Sequence, residues 1–288
     1  MSERLSVRKT YKLFIGGAFP RSESGRSYVV TSSKGDFLAN ASKASRKDAR
    51  DAVVAARKAF AGWSGATAYN RGQVIYRIAE MLESRRAQFA AELVAADGVS
   101  TKKATELVDA AVDRLVWYAG WSDKIGAIRG SANPVAGPYF NLSSTEPTGV
   151  VAIVAPPMGP LLGLISVIAP VIVTGNTCVV IASERAPLPS ITLSEVLATS
   201  DLPGGVVNIL TGKPDEIAPW LAGHMDVNAL DLTGASPELA LTCEELAAEN
   251  LKRVLRPPTD TIDWLADPGT ARMTTFLETK TVWHPIGV

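Results

Sequence analysis

Between Pro147 and Ser183 no residue carries a charge. A stretch of that length either spans a bilayer or is buried inside a folded domain. Prolines and glycines divide it into pieces of strand and helix length, and broken backbone facing lipid would leave its N–H and C=O groups unpaired. A buried core segment is therefore expected, and no membrane association. Short β-branched runs recur within and beyond it: "GVVAIVA", "NTCVVIAS", "GVVNILTG" and "NALDLTGA". Between them lie helix-length pieces, "LLGLISVIAPVIV", "PSITLSEVLATS", "DEIAPWLAG" and "SPELALTCEELAAEN". Strands alternating with helices predict an α/β fold, a parallel sheet with helices on both faces. Such sheets bind ligands outside the carboxyl ends of their strands. The turn leaving the first run lies at such an end, yet it is built from Pro156, Pro157, Met158, Gly159 and Pro160. None of these side chains can donate a hydrogen bond, carry charge or attack a substrate.

The first third reads differently. "KLFIGGAF" has the character of an opening strand and turn. Ser45 and Asp48 form a capping-box signature, followed by a stripe of Ala49, Val53, Ala56 and Phe60. The next helix is expected to carry Ile75, Ile78, Ala79, Leu82, Phe89 and Leu93 on one face. A third, about Thr101 to Ile125, uses Leu107, Ala111, Leu115 and Tyr118. These stripes are expected to be core. Residues 131–146, "SANPVAGPYFNLSSTE", break the helical pattern and predict a hairpin leaving the body. Lys plus Arg and Asp plus Glu both count 29, so no general attraction to nucleic acid or acidic lipid is expected. Two cysteines in 288 residues exclude a disulfide scaffold and fit a reducing, cytoplasmic setting. The start, "MSERLSVRKTYK", has no apolar leader core.

Six segments in order, "WSDKI", "EPTGVVAIVAP", "VTGNTCVVIASERAPL", "LPGGVVNILTG", "HMDVNALDLTGA" and "AAENLKRV", resemble the aldehyde dehydrogenase superfamily. The resemblance implies a Rossmann-like NAD-binding domain over 1–130 and 147–256. It also implies a small antiparallel oligomerisation sheet, made from the 131–146 hairpin and a strand in 270–288, where "MTTFLETKTVWHPIG" resembles the family's C-terminal tail. Residues 257–269 stand as a linker where the family has its catalytic domain, which is expected to be missing.

The departures from the family pattern are specific. Working members carry Trp-Asn-Phe before the proline of the first turn, and the Asn helps to stabilise the oxyanion. Pro157, Met158 and Gly159 stand in those places, and a thioether cannot donate that bond. Ile181 stands where a Lys usually binds the cofactor ribose. Glu184 matches the family's ribose-contacting Glu. In the next phosphate-binding turn Gly234 remains, while Ala235 replaces a Ser and Leu239 a second Gly. Pro257 falls near the family's general-base Glu. Neither Cys178, inside a strand run, nor Cys243, inside a helix run, has the setting of the family nucleophile. His224 and His284 are too isolated for a metal site. No catalytic residue and no metal site are therefore expected, and cofactor binding is reduced to a vestige at Glu184 and Gly234, with weak NAD(P) binding at most.

The sequence most resembles the truncated, non-catalytic C-terminal module of the two-module family 16 aldehyde dehydrogenases. It implies a pseudoenzyme subunit that assembles with a full-length catalytic aldehyde dehydrogenase and stabilises or positions it. The expected interface residues are Tyr139, Phe140, Leu142, Met158, Phe276, Leu277, Val282 and Trp283. Pro156, Pro157, Leu161 and Leu162 are expected to form an uncovered apolar patch with Met158. The alternatives are a residual NAD(P)-binding or sensing protein, and an active aldehyde oxidoreductase with an unrecognised site.

Overall fold

A computed structural model describes residues 9–287. The first eight residues, which include most of the start expected to lack a leader core, and Val288, the last residue of the 270–288 segment, lie outside the described residues. The chain opens with a two-stranded antiparallel ribbon, β1 (Ser27–Thr31) and β2 (Phe37–Ser42). Five helices follow: α1 (Arg46–Gly65), α2 (Ala68–Ser84), α3 (Arg86–Asp97), α4 (Thr101–Trp121) and α5 (Ile125–Arg129). Next come β3 (Ser131–Asn133), β4 (Tyr139–Pro147) and β5 (Val150–Val154). The alternating region contains α6 (Leu162–Val173), β6 (Thr177–Ile181), α7 (Leu188–Ala198), β7 (Val207–Leu210), α8 (Pro214–Ala222), β8 (Ala229–Asp231), α9 (Pro237–Ala247) and β9 (Arg253–Leu255). The chain closes with α10 (Ala271–Thr275) and β10 (Leu277–Pro285).

The central sheet is parallel, in the order β7-β6-β5-β8-β9. Successive residues of a strand point to opposite faces, and this sheet has a core on each. Val151, Ile153, Cys178 and Val180 face one cluster, which includes residues of α2, α4, α6 and α7. Val150, Val154, Val179 and Ile181 face the other, which includes residues of α1, α8 and α9. That two-sided burial is why the strands read as unbroken apolar runs. Helix α6 is buried along its whole length. It lies between the sheet and the outer helices α2 and α4, which explains the uncharged stretch without a membrane. No helix among the described residues is long and apolar enough to cross a bilayer.

The Ser45 side chain accepts from the N–H groups of Lys47 and Asp48, and the Asp48 carboxylate accepts from Ser45 N–H, completing the capping box. Ala49, Val53 and Ala56 are buried, while Phe60 is half-buried. The helix expected to run from Ile75 through Leu93 is two helices. The Arg85 N–H bonds to the Leu82 carbonyl, three residues back, which tightens and ends α2. The helix expected to reach Ile125 ends at Trp121; Ala104 and Val108 share its buried face, and Leu107 is only half-buried.

A second sheet, antiparallel and in the order β10-β4-β3, extends from the body. Its root is fixed by Asn176, whose side-chain amide donates to the Phe276 carbonyl at 2.9 Å, and by Thr148 N–H at 3.2 Å on the same oxygen. Phe276, 1% exposed, and Leu277 lie in this chain's own core. These two residues, expected at an interface, are instead the anchor of the tail.

Candidate functional site

Strands β6 and β7 lie on one side of β5, and β8 and β9 on the other. The chain therefore reverses direction across the sheet between β5 and β8, where doubly wound sheets open a crevice at their carboxyl ends. One half of that crevice is an open groove of about 690 Å3, lined by Tyr28, Pro157, Ser183, Glu184, Ser236 and Leu239, among others. The Ser183 hydroxyl donates to the Pro157 carbonyl at 3.0 Å and accepts from Ala186 N–H, so it ties the β5 turn to the β6 turn.

The two residues expected to hold a vestigial cofactor both border this groove. Glu184 is exposed and has no hydrogen bond or ion pair among the described residues. Burial, and secondarily the Glu184 carboxylate, push the Tyr28 hydroxyl well above the usual tyrosine range. Gly234 has a structural reason to be glycine: a Cβ there would collide with the Ala155 carbonyl, where β5 and β8 leave the sheet together. Ile181 is buried within β6, on the sheet face toward α1 and α8, and Leu239 closes the groove floor. The N-terminus of α9 offers little to an anion. Ser236 caps the Leu239 N–H, Pro237 has no N–H, and Glu238 adds negative charge in the first turn.

The other half of the crevice is filled by the segment after β9. The Trp264 indole lies against Gly159 and Gly163, where an added Cβ would sit 3.4 Å and 3.3 Å from ring atoms. Arg114, buried in α4, donates to the carbonyls of Trp264 at 2.6 Å and Ala266 at 2.9 Å, and to the Ser166 hydroxyl at 3.2 Å. Arg272 bonds Asp231 and the Thr233 hydroxyl, both at 3.0 Å, and lies over the Trp264 ring. Asp231 is fully buried, and that burial raises its carboxyl above the usual range even though Arg272 and Thr233 oppose the shift. The turn is thus partly covered by the chain itself, a correction to the expected open patch. Pro156, Leu161 and Leu162 are buried, and only Pro157 and Met158, the latter 61% exposed, reach solvent. Arg114, Trp264 and Arg272 were not singled out from the sequence. The available signal was a tryptophan inside the otherwise polar stretch "PPTDTIDWLADPG".

Both cysteines are buried and free. Burial pushes the Cys178 thiol far above the usual range, and burial, with Asp215 adding, pushes Cys243 up to about 11. A thiol so shifted holds little thiolate at neutral pH. The His224 ring lies 4.8 Å from the Trp220 ring and its Nδ1 accepts from Asp226 N–H. Burial lowers its pKa, with Asp226 opposing. His284 sits in β10 opposite Phe140. The described residues contain no His, Cys, Asp and Glu group able to hold a metal ion.

The remaining interface candidates gather on the antiparallel sheet. Leu142 and Val282 are directly opposite each other, and Trp283 stacks edge-on against Tyr139 at 5.8 Å. Tyr139, Phe140, Leu142, Val282 and Trp283 are all exposed. Met158 is not part of this group; it stands in the turn after β5.

Comparison with known proteins fits this geometry. The aldehyde dehydrogenase family model matches residues 19–256. The chain is 32% identical over 248 residues to "Aldehyde dehydrogenase, cytosolic 1" of Elephantulus edwardii, covering 84% of this chain and 49% of that protein. It is also 32% identical to the "Putative aldehyde dehydrogenase DhaS" of Bacillus subtilis, covering 86% and 50%. Among solved structures, the NAD+ complex of an aldehyde dehydrogenase from Bacillus cereus superposes with a TM-score of 0.81 at 29% identity, covering 85% of this chain and 50% of that one. The chain belongs to the aldehyde dehydrogenase family. It spans about half the length of the relatives named here.

Proposed function

We propose that this protein is a non-catalytic aldehyde dehydrogenase-like subunit that assembles with a full-length aldehyde dehydrogenase through its antiparallel sheet. The observation that carries the reading is that sheet. Its exposed apolar residues lie on both faces, Phe140, Leu142 and Val282 on one and Tyr139 and Trp283 on the other, and β10 pairs only with β4 among the described residues, so its outer edge carries unpaired backbone groups. Such an edge recruits another strand. Two buried thiols with raised pKa, and a Met158 side chain that cannot donate to an oxyanion, support the non-catalytic part. Residues 131–147 and 277–285 serve as the assembly arm, with Tyr139, Phe140, Leu142, Val282 and Trp283 as contacts.

The test is co-expression with a full-length aldehyde dehydrogenase, followed by size-exclusion chromatography and turnover with NAD and NADP. Co-elution is expected, together with no turnover by this chain alone. Separate elution, with the dehydrogenase's stability and activity unchanged, contradicts the reading. The groove favours a second, compatible reading: residual nucleotide binding at Glu184, in the crevice of a fold that in the Bacillus cereus relative was solved with NAD+.

A further inference from the structure

A pocket of about 350 Å3 opens beside the β1–β2 ribbon, lined by Lys9, Tyr11, Arg21, Arg26, Ala39 and Asn40, among others. No Asp or Glu lines it among the described residues. The crevice groove is the opposite case: Glu184 and Asp215 line it, and its one cation, Arg185, is paired with Asp97. Arg21 and Arg26 are exposed, and among the described residues neither guanidinium has an ion pair or a hydrogen bond. Lys9 is already committed, to Glu195 at 2.8 Å and to the Thr192 hydroxyl at 3.1 Å.

The carboxylates nearby do not cancel the two arginines. Glu195 is shared by Lys9 and Arg85, and Glu216 is held by Lys43 at 2.8 Å. Glu23, on the same turn as the arginines, accepts from the Ser45 hydroxyl and pairs with Lys47. Glu92 accepts from the Thr192 hydroxyl, and burial raises its carboxyl above the usual range. The turn that presents the arginines is fixed. Gly25 N–H donates to the Ser22 carbonyl, and the buried Ser22 hydroxyl donates at 2.8 Å to Asp48, the capping-box residue of α1. Gly25 has a φ of +67°, and a Cβ there would meet nothing within 4 Å, so the turn leaves space beside the arginines. Tyr11 is 9% exposed, and its hydroxyl has no hydrogen-bond partner among the described residues. Burial, with Glu92 and Glu195 adding, pushes that hydroxyl up to about 12, so it remains a donor at neutral pH. The site thus offers two free guanidinium forks, an unpartnered phenol and the Asn40 amide, all of them donors.

We propose that this pocket binds a small compound bearing a phosphate monoester, with Arg21 and Arg26 on the phosphate and Tyr11 and Ala39 against its body. Such a group carries about 1.5 to 2 negative charges at neutral pH and three acceptor oxygens, which two guanidinium forks match; a carboxylate brings less charge. The volume is at the small end for ligand sites. The test is titration of the full chain with phenyl phosphate and with benzoate at fixed ionic strength, by calorimetry and by amide chemical shifts. Phenyl phosphate is expected to saturate, moving the amides of Gly25, Ser27 and Asn40 and leaving those of Glu184 and Gly234 in place. Arg21→Gln and Arg26→Gln are each expected to weaken it at least about tenfold, which is about 1.4 kcal/mol, without moving Tm, because neither side chain holds a bond in the fold. Benzoate is expected to bind at least about tenfold more weakly. No saturation, shifts confined to the Glu184 crevice, or an affinity unchanged in both variants would overturn the site. Benzoate binding as tightly as phenyl phosphate would overturn its preference for phosphate.

Discussion

The two ends of this molecule treat their polar and apolar groups in opposite ways. At the carboxyl edge of the parallel sheet the chain closes half of its own crevice. A buried aspartate is paired with Arg272, a buried guanidinium finds two carbonyls, and an indole covers two glycines. At the antiparallel sheet the chain does the reverse. It leaves Phe140, Leu142, Val282 and Trp283 in solvent, beside a strand edge with no partner among the described residues. The contrast lies within one continuous segment. Residues 264–277 fasten to the body, Glu278 still reaches back to Arg253 of β9, and residues 279–285 run away from it. Groups already satisfied hold a fold together, whereas unsatisfied apolar area beside a free edge is where association is expected.

The largest expected effects break the fastened half. Arg272→Met leaves Asp231 buried without its partner and should cost about 3–5 kcal/mol at neutral pH. The cost should depend on pH. A buried carboxyl with a raised pKa binds its proton more tightly in the folded state, so stability is present at low pH and lost as pH rises through the raised value. Without Arg272 the value rises further, and the deficit should shrink as pH falls toward the ordinary carboxyl range. Urea unfolding at both pH values checks this, and an equal deficit at each would contradict it. Phe276→Ala should cost a comparable amount, about 3–5 kcal/mol, because it empties a fully buried ring site.

Seven residues further on, the same kind of truncation should be mild. Trp283→Ala removes one edge-on aromatic contact and should cost about 1 kcal/mol. Leu142→Asp should change stability by less still, within about 0.5 kcal/mol, yet abolish co-elution with a full-length dehydrogenase. If Phe276→Ala and Trp283→Ala prove equally costly, the division of the tail into anchor and arm is wrong. Smallest of all, Met158→Asn should leave stability within about 0.5 kcal/mol and create no turnover. Restoring one donor does not supply an accessible thiolate.

Much of this contrast was legible in the sequence, and some was not. The parallel sheet was, because burial on both faces writes unbroken runs such as "TCVVI". Helix α1 was, because Ser45 and Asp48 mark its start. The break at Arg85 was not, since the apolar stripe continues across it from Leu82 to Phe89. Phe276 and Leu277 looked like their exposed neighbours because strand character does not say which residues face a body and which face solvent. Trp264 was hidden for a similar reason. Its partners, Gly159, Gly163 and Arg114, lie more than a hundred residues upstream, and no local period connects them. Glu184 and Gly234 were legible by resemblance, but only the geometry gives Gly234 a packing reason independent of any ligand.

Hydrogen exchange on β10 tests the central claim most directly. The amides of Glu278–His284 that point away from β4 should exchange quickly in the free chain and slow by at least about tenfold when a full-length aldehyde dehydrogenase is added. Amides of β5 and β6, in the middle of the parallel sheet, should not change. Unchanged exchange along β10 in a mixture where the two proteins co-elute would place the contact elsewhere and contradict the account.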